Sequence, residues 1–167
     1  MIYGDELLEK LTALEFTSWK GEAYRHMFGE NQPAKENTVG ARWNPPEVPA
    51  IYTSLQPAIA QAEGDYHIAM QPLRPKAERR IHRIQINLAS VLDLQDWSLL
   101  EYLGIDRKEF TSTEPPRCKE VGGSVAHLGH DGLLVPSARS DGGNLVIFPD
   151  NKTGTYEFWP IDYVVVG

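Results

Sequence analysis

A single cysteine, Cys118, in 167 residues leaves the chain no internal disulfide. That excludes a disulfide-stapled scaffold and a cysteine-rich zinc site, and it fits a reducing compartment. Cys118 falls in a polar, proline-rich stretch (Glu114, Pro115, Pro116, Arg117), which reads as a surface or loop thiol rather than a nucleophile. Long apolar runs are missing too. Stretches such as Val164-Val165-Val166 are far too short to cross a membrane. The acidic opening, Met1-Ile2-Tyr3-Gly4-Asp5-Glu6, lacks the apolar core of a secretory signal, so a cytoplasmic protein is expected. Positive charge is in short supply. Sixteen lysines and arginines stand against 23 acidic residues, for a net charge of −7. An acidic chain repels a phosphate backbone, so nucleic acid is not an expected partner of this chain alone. The local exception is Arg74, Lys76, Arg79, Arg80 and Arg83. This cluster reads as a solvated connection leading into a strand, with a docking patch for an acidic partner left open. Neither a Gly-x-Gly-x-x-Gly fingerprint nor a Walker loop occurs, so any nucleotide must be held without them.

What remains is ordinary globular material, 41% hydrophobic and 23% charged, enough for one core at this length. No repeat, low-complexity segment or linker divides it. Leu7, Leu8, Leu11 and Leu14 predict a helix over 5–15. Residues 19–28 read as extended and lead into a polar loop at 29–38, and 49–53 as a strand. Pro57 suits the first position of a helix, where its missing N–H is not needed, and Pro72 and Pro75 end that helix after about Met70. Alternating Ile84, Ile86 and Leu88 predict a strand over 80–88. Asp96 can cap a short helix that Gly104 stops after Leu103. Residues 105–130 give no clear reading. Strands follow at 132–136, 144–149 and 155–166, the first two joined through Asp141-Gly142-Gly143. Strands gathered towards the end, without regular βαβ alternation, predict an α+β fold with a mainly antiparallel sheet.

Several residues carry possible chemistry. On the helix from Pro57, the apolar stripe reads Ile59, Ala62, Tyr66, Ala69 and Met70. At about 100° per residue, Glu63 falls inside that stripe. A carboxylate aimed at a core or pocket needs a partner or a job. The pattern leaves both a structural pairing and a catalytic role open. Asp65, nearly opposite, reads as solvated. In Gly40-Ala41-Arg42-Trp43-Asn44-Pro45-Pro46, Gly40 permits unusual backbone angles and Asn44-Pro45 forces an extended or turned path. Arg42, fixed in such a loop, can grip phosphate through paired N–H bonds, and Trp43 offers an apolar plate. The residues alone fit a surface turn with Trp43 anchored in the core more simply. Tyr24-Arg25 is a second aromatic–arginine pair, or an ordinary exposed arginine on a strand. Tyr52 is either a half-buried strand tyrosine or a ring that stacks on a flat ligand with its hydroxyl free. Ser137 follows a strand without the Gly-x-Ser-x-Gly elbow of a hydrolase nucleophile, and Asn144 follows a glycine pair as turn residues do. His127-x-x-His130 lacks a third ligand at a recognised spacing, so no metal is expected. Trp19 and Trp97 are candidates for an exposed contact surface.

In order along the chain stand Gly40-Ala41-Arg42-Trp43-Asn44-Pro45, Ile51-Tyr52-Thr53-Ser54, Ala58 to Glu63, Gly132-Leu133-Leu134-Val135-Pro136-Ser137-Ala138-Arg139 and Gly143-Asn144-Leu145-Val146. This series resembles the RES domain over roughly residues 19–150. The family is named for an arginine, a glutamate and a serine, which look like Arg42, Glu63 and Ser137, and Tyr24-Arg25 looks like its other arginine site. Ala41 departs from the family, which often has a second glycine there. The resemblance implies one domain over 1–167 with a fold similar to that of ADP-ribosyltransferases. It implies a bacterial toxin of a toxin–antitoxin pair, with a cognate antitoxin that blocks the active site. NAD is then the substrate, with no prosthetic group, and is cleaved by hydrolysis or phosphorolysis. Glu63 would face the ribose, Arg25 and Arg42 would grip the pyrophosphate, Tyr52 would stack near the nicotinamide, and Ser137 would fix the ribose or Glu63. Competing readings are an ADP-ribosyltransferase acting on a protein, a catalytically silent binding module, and a structural domain without a ligand.

Overall fold

The computed structural model describes residues 2–111 and 114–167. Its elements are α1 (Asp5–Thr12), β1 (Thr17–Phe28), β2 (Ile51–Ser54), α2 (Pro57–Ala69), β3 (Arg79–Asp93), α3 (Trp97–Tyr102), α4 (Arg107–Phe110), α5 (Pro116–His127), β4 (Gly132–Pro136), β5 (Gly143–Ile147) and β6 (Tyr156–Val166). The sheet runs β1-β2-β5-β4-β3-β6, and a further β1–β3 pairing closes the first five into a ring. Among the described residues only β3 and β4 pair in parallel; every other strand pair is antiparallel, as the strand pattern predicts.

The spine of the ring is β3. Its alternation places Ile84, Ile86 and Leu88 at 0% exposure, in a cluster drawn entirely from strands. A second cluster joins the sheet to the helices: Leu7 and Leu11 from α1, Leu100 from α3, Phe110 from α4, and Cys118, Val121 and Val125 from α5. Asp96 caps α3 through the Ser98 amide, and Gly104 ends the turn with φ +92°.

Several expectations need correction. The first helix stops at Thr12, because the chain must extend to pair Thr17 with Val91. The buried line of α2 is Ile59, Ala60 and Gly64, with Met70 64% exposed, so the stripe runs one position over from the apolar reading. Helix propensity did not decide this; Gly64 did, by letting α2 approach β1. A Cβ there would stand 2.6 Å from the His26 ring. Cys118 is no surface thiol. It is fully buried on α5, and burial pushes its pKa up to about 11. The basic cluster is largely consumed within the chain: Arg79 pairs with Asp65, Arg80 with Glu78 and Glu30, and Arg83 with Asp162 and Glu22. Asp65 is therefore exposed but paired. Trp19 and Trp97 are half-buried against the two clusters, whereas Trp159 on β6 is the exposed indole.

Candidate active site

Strand register builds the site. Ser54 at the end of β2 lies opposite Asn144 on β5, Asn144 lies opposite Val135 on β4, and Tyr24 on β1 lies opposite Ser54. Ser137 follows β4 directly. Three polar side chains thus gather where α2 crosses the strand ends and presents Glu63. The Glu63 carboxylate takes all three: Ser54 Oγ donates to Oε1 at 2.8 Å, and Ser137 Oγ and Asn144 Nδ2 donate to Oε2 at 3.0 and 2.7 Å. The Arg139 amide in turn donates to Ser137 Oγ at 3.2 Å. Three donors fix the direction of the carboxylate. Beside it, Asn144 Oδ1 is buried without a partner.

Glu63 lines a cleft of about 450 Å³, within the range of small-molecule sites. Tyr24, Arg25, Arg42, Trp43, Tyr52 and Asn144 line it as well, so seven of the eight residues singled out in the sequence border one cavity, and Ser137 joins them through Glu63. Arg139 adds a third guanidinium. Each arginine is held by backbone carbonyls: Arg25 Nη1 by those of Pro33 and Lys35 at 2.6 Å each, Arg42 Nη1 by Phe110 at 2.8 Å, and Arg139 Nη1 by Thr111 at 3.1 Å. None forms an ion pair among the described residues. A carbonyl orients a guanidinium without neutralising it, so the three arginines face the cleft free of direct ion pairs, although the Glu63 and Glu114 carboxylates line it too. Burial lowers the Arg25 pKa to about 10, which still leaves it protonated at neutral pH. Arg25 is accordingly no ordinary exposed arginine.

Two aromatic residues sit differently from the expectation. The Trp43 indole is 2% exposed and packs in the core near Phe110, so it anchors the loop and offers a ligand no free plate. The Tyr52 hydroxyl is engaged rather than free: it donates to Asn44 Oδ1 at 2.5 Å and accepts from the Trp43 amide at 3.0 Å. Burial raises its pKa far above the usual phenol range. Its polar end therefore clamps the loop that carries Arg42, while its ring borders the cleft. From the other side, α5 supports that loop so closely that a Cβ on Gly122 would fall 1.7 Å from the Trp43 carbonyl oxygen. The histidine pair does not converge. His130 stacks on Phe16 and meets Ser90 Oγ at 2.6 Å, while His127 faces Tyr3.

Two members of the site had no assigned role in the sequence reading, Ser54 and Arg139. No sequence signal marks Ser54, which the β2–β5 register brings to Glu63, whereas Arg139 is marked by its place two residues after Ser137.

Residues 15–158 match the RES domain. The chain belongs to the RES domain family. Among curated relatives, the RES-domain chain is 28% identical over 141 residues to proteins named NAD(+) phosphorylase MbcT from Mycobacterium tuberculosis and Mycobacterium bovis. That match covers 79% of this chain and 75% of theirs. Its fold matches a chain in the crystal structure of the M. tuberculosis MbcT–MbcA toxin–antitoxin complex, with a TM-score of 0.83 at 23% identity, over 98% of this chain and 93% of that one.

Proposed function

We propose that this RES-domain protein is a toxin-type enzyme that breaks the nicotinamide–ribose bond of NAD, in a cytoplasmic setting and under the control of a cognate antitoxin. The whole chain acts as one unit, with its five-strand ring corresponding to an ADP-ribosyltransferase-like sheet. The observation that carries the reading is the Glu63 carboxylate, oriented by Ser54, Ser137 and Asn144 in a cleft whose arginines lack carboxylate partners.

The chemistry follows from charge. The nicotinamide of NAD is a pyridinium and leaves as a neutral molecule, so the leaving group needs no general acid. Positive charge develops on the ribose, and a fixed carboxylate beneath it lowers that barrier. Glu63 takes this place, and Ser137 and Asn144 keep it aimed. Arg25 and Arg42 bind the pyrophosphate. Tyr24 and the Tyr52 ring border the nicotinamide, and Trp43 contributes by anchoring the Arg42 loop. The acceptor is phosphate or water.

The test is to incubate the purified chain with NAD, with and without phosphate, and to resolve the products. Release of nicotinamide with ADP-ribose or its phosphate ester is expected. Intact NAD after prolonged incubation with folded, partner-free protein refutes the reading, and label carried onto protein redirects it to ADP-ribosyl transfer.

A further inference from the structure

The cleft holds one more guanidinium than a pyrophosphate calls for. With Arg25 and Arg42 on the two phosphates of NAD, Arg139 remains. It stands at a particular place: on the turn after β4, two residues beyond Ser137, with its guanidinium 3.6 Å from the Tyr66 ring centroid. Tyr66 lies three residues after Glu63 on α2, so the two share a helix face with Cβ atoms roughly 5–6 Å apart. The Arg139 backbone reaches Glu63 through a single intermediary, Ser137 Oγ. Yet the side chain does not turn to the carboxylate. It is held over the Tyr66 ring and tied at Nη1 to the Thr111 carbonyl, with no further hydrogen bond from its other N–H groups among the described residues. A guanidinium fixed near a carboxylate, unpaired with it and with most of its donor fork free, suits a tetrahedral oxyanion.

We infer that Arg139 holds the acceptor, an inorganic phosphate dianion, beside Glu63. This rests on the NAD-cleaving reading above. A phosphate oxygen forms the new bond to the ribose carbon as the carbon–nitrogen bond breaks. The electron pair of that bond goes to the pyridinium nitrogen, and nicotinamide departs neutral. The phosphate keeps its proton in the ester, ADP-ribose 1-phosphate, and then releases it to solvent according to its own acidity. No base is needed, because the attacking oxygen already carries charge; water, by contrast, must give up a proton. The difficulty with a dianion is repulsion from Glu63, and a cation held next to that carboxylate offsets it.

The experiment follows initial rates of nicotinamide release against phosphate concentration at saturating NAD, and against NAD at saturating phosphate, with products separated by anion exchange. Arg139→Gln is expected to raise KM for phosphate by at least about tenfold, the scale of one lost charge-assisted contact, and KM for NAD by less than about twofold. Its product ratio shifts towards ADP-ribose. Arg139→Lys, which keeps the charge without the fork, recovers part of the phosphate affinity and carries the test if the glutamine variant is unfolded. An unchanged phosphate KM in a folded variant overturns the assignment. So does an equal rise in both KM values, which would place Arg139 on the pyrophosphate. A wild-type chain that releases nicotinamide at a rate independent of phosphate refutes the acceptor site while leaving NAD cleavage intact; one that releases none refutes the underlying reading.

Discussion

Glu63→Gln separates the charge of the carboxylate from its shape. Oε2 accepts two hydrogen bonds, one from Asn144 Nδ2, whereas Oε1 accepts one from the Ser54 hydroxyl. The glutamine oxygen therefore takes the Oε2 position, and its NH2 group faces Ser54, whose hydroxyl rotates from donor to acceptor. The Ser54 hydroxyl proton loses its acceptor and turns to the cleft that Ser54 lines, so the expected stability cost is about 1 kcal/mol. Catalysis loses far more. A unit charge about 4 Å from the developing ribose cation contributes about 4 kcal/mol at an effective dielectric constant of about 20. Its removal predicts a loss of about a thousandfold in kcat. KM for NAD rises much less, because in the ground state the positive charge sits out on the pyridinium ring. The assay is nicotinamide release under saturating NAD, paired with a thermal melt. A loss below about tenfold in a variant that melts like the wild type, or a loss borne entirely by KM, refutes the electrostatic role of Glu63.

Gly122→Ala forces its new methyl against the Trp43 carbonyl, where no side chain can swing aside. The expected cost is towards the upper end of about 1–3 kcal/mol in denaturant unfolding, with weaker NAD binding as the Arg42 loop shifts. A change under about 0.5 kcal/mol would show that the loop yields freely. Tyr52→Phe strands the Trp43 amide and Asn44 Oδ1 and should cost about 1–3 kcal/mol while raising KM for NAD; an unchanged melt and KM count against the clamp. Burial, and then the charge of Arg79, holds the His26 pKa down at about 4, below its unfolded value of 6.5. The unfolded chain thus binds more protons between these limits, so stability is full above about 6.5 and is lost as pH falls towards about 4. Protonation also removes the acceptor that His26 Nε2 offers Arg79. His26→Gln should flatten the decline of the melting temperature over that window, and a parallel decline in both proteins argues against His26 as its source.

Strongly punctuated elements were legible in the sequence. Pro57 marks the first turn of α2, Asp96 and Gly104 bracket α3, and the alternation at Ile84, Ile86 and Leu88 marks β3. The stretch after Gly104 was not. Pro116 opens α5 as Pro57 opens α2, but the buried face of α5 is built partly from Gly122, Gly123 and Ser124, so no apolar period betrays a helix. Small residues stand there because the loop and neighbouring side chains press against them, and that is a tertiary fact. The same holds for α2, where Gly64 rather than Ala62 faces β1. Glu63, Arg42 and Ser137 were visible through their ordered motifs. Ser54 was invisible as a partner of Glu63, because strand register, not sequence distance, brings β2, β4 and β5 together.

Tethering the cleft arginines to carbonyls rather than carboxylates bears on how fast the enzyme can turn over. On the proposed reaction, each cycle removes the only positive charge of the substrate. The ligand left behind is more anionic than the one that entered, and more so again when phosphate is the acceptor. Guanidiniums with no carboxylate partner grip such a product more tightly than the substrate. ADP-ribose and its phosphate ester are therefore expected to compete with NAD for the cleft, so that turnover slows as product accumulates.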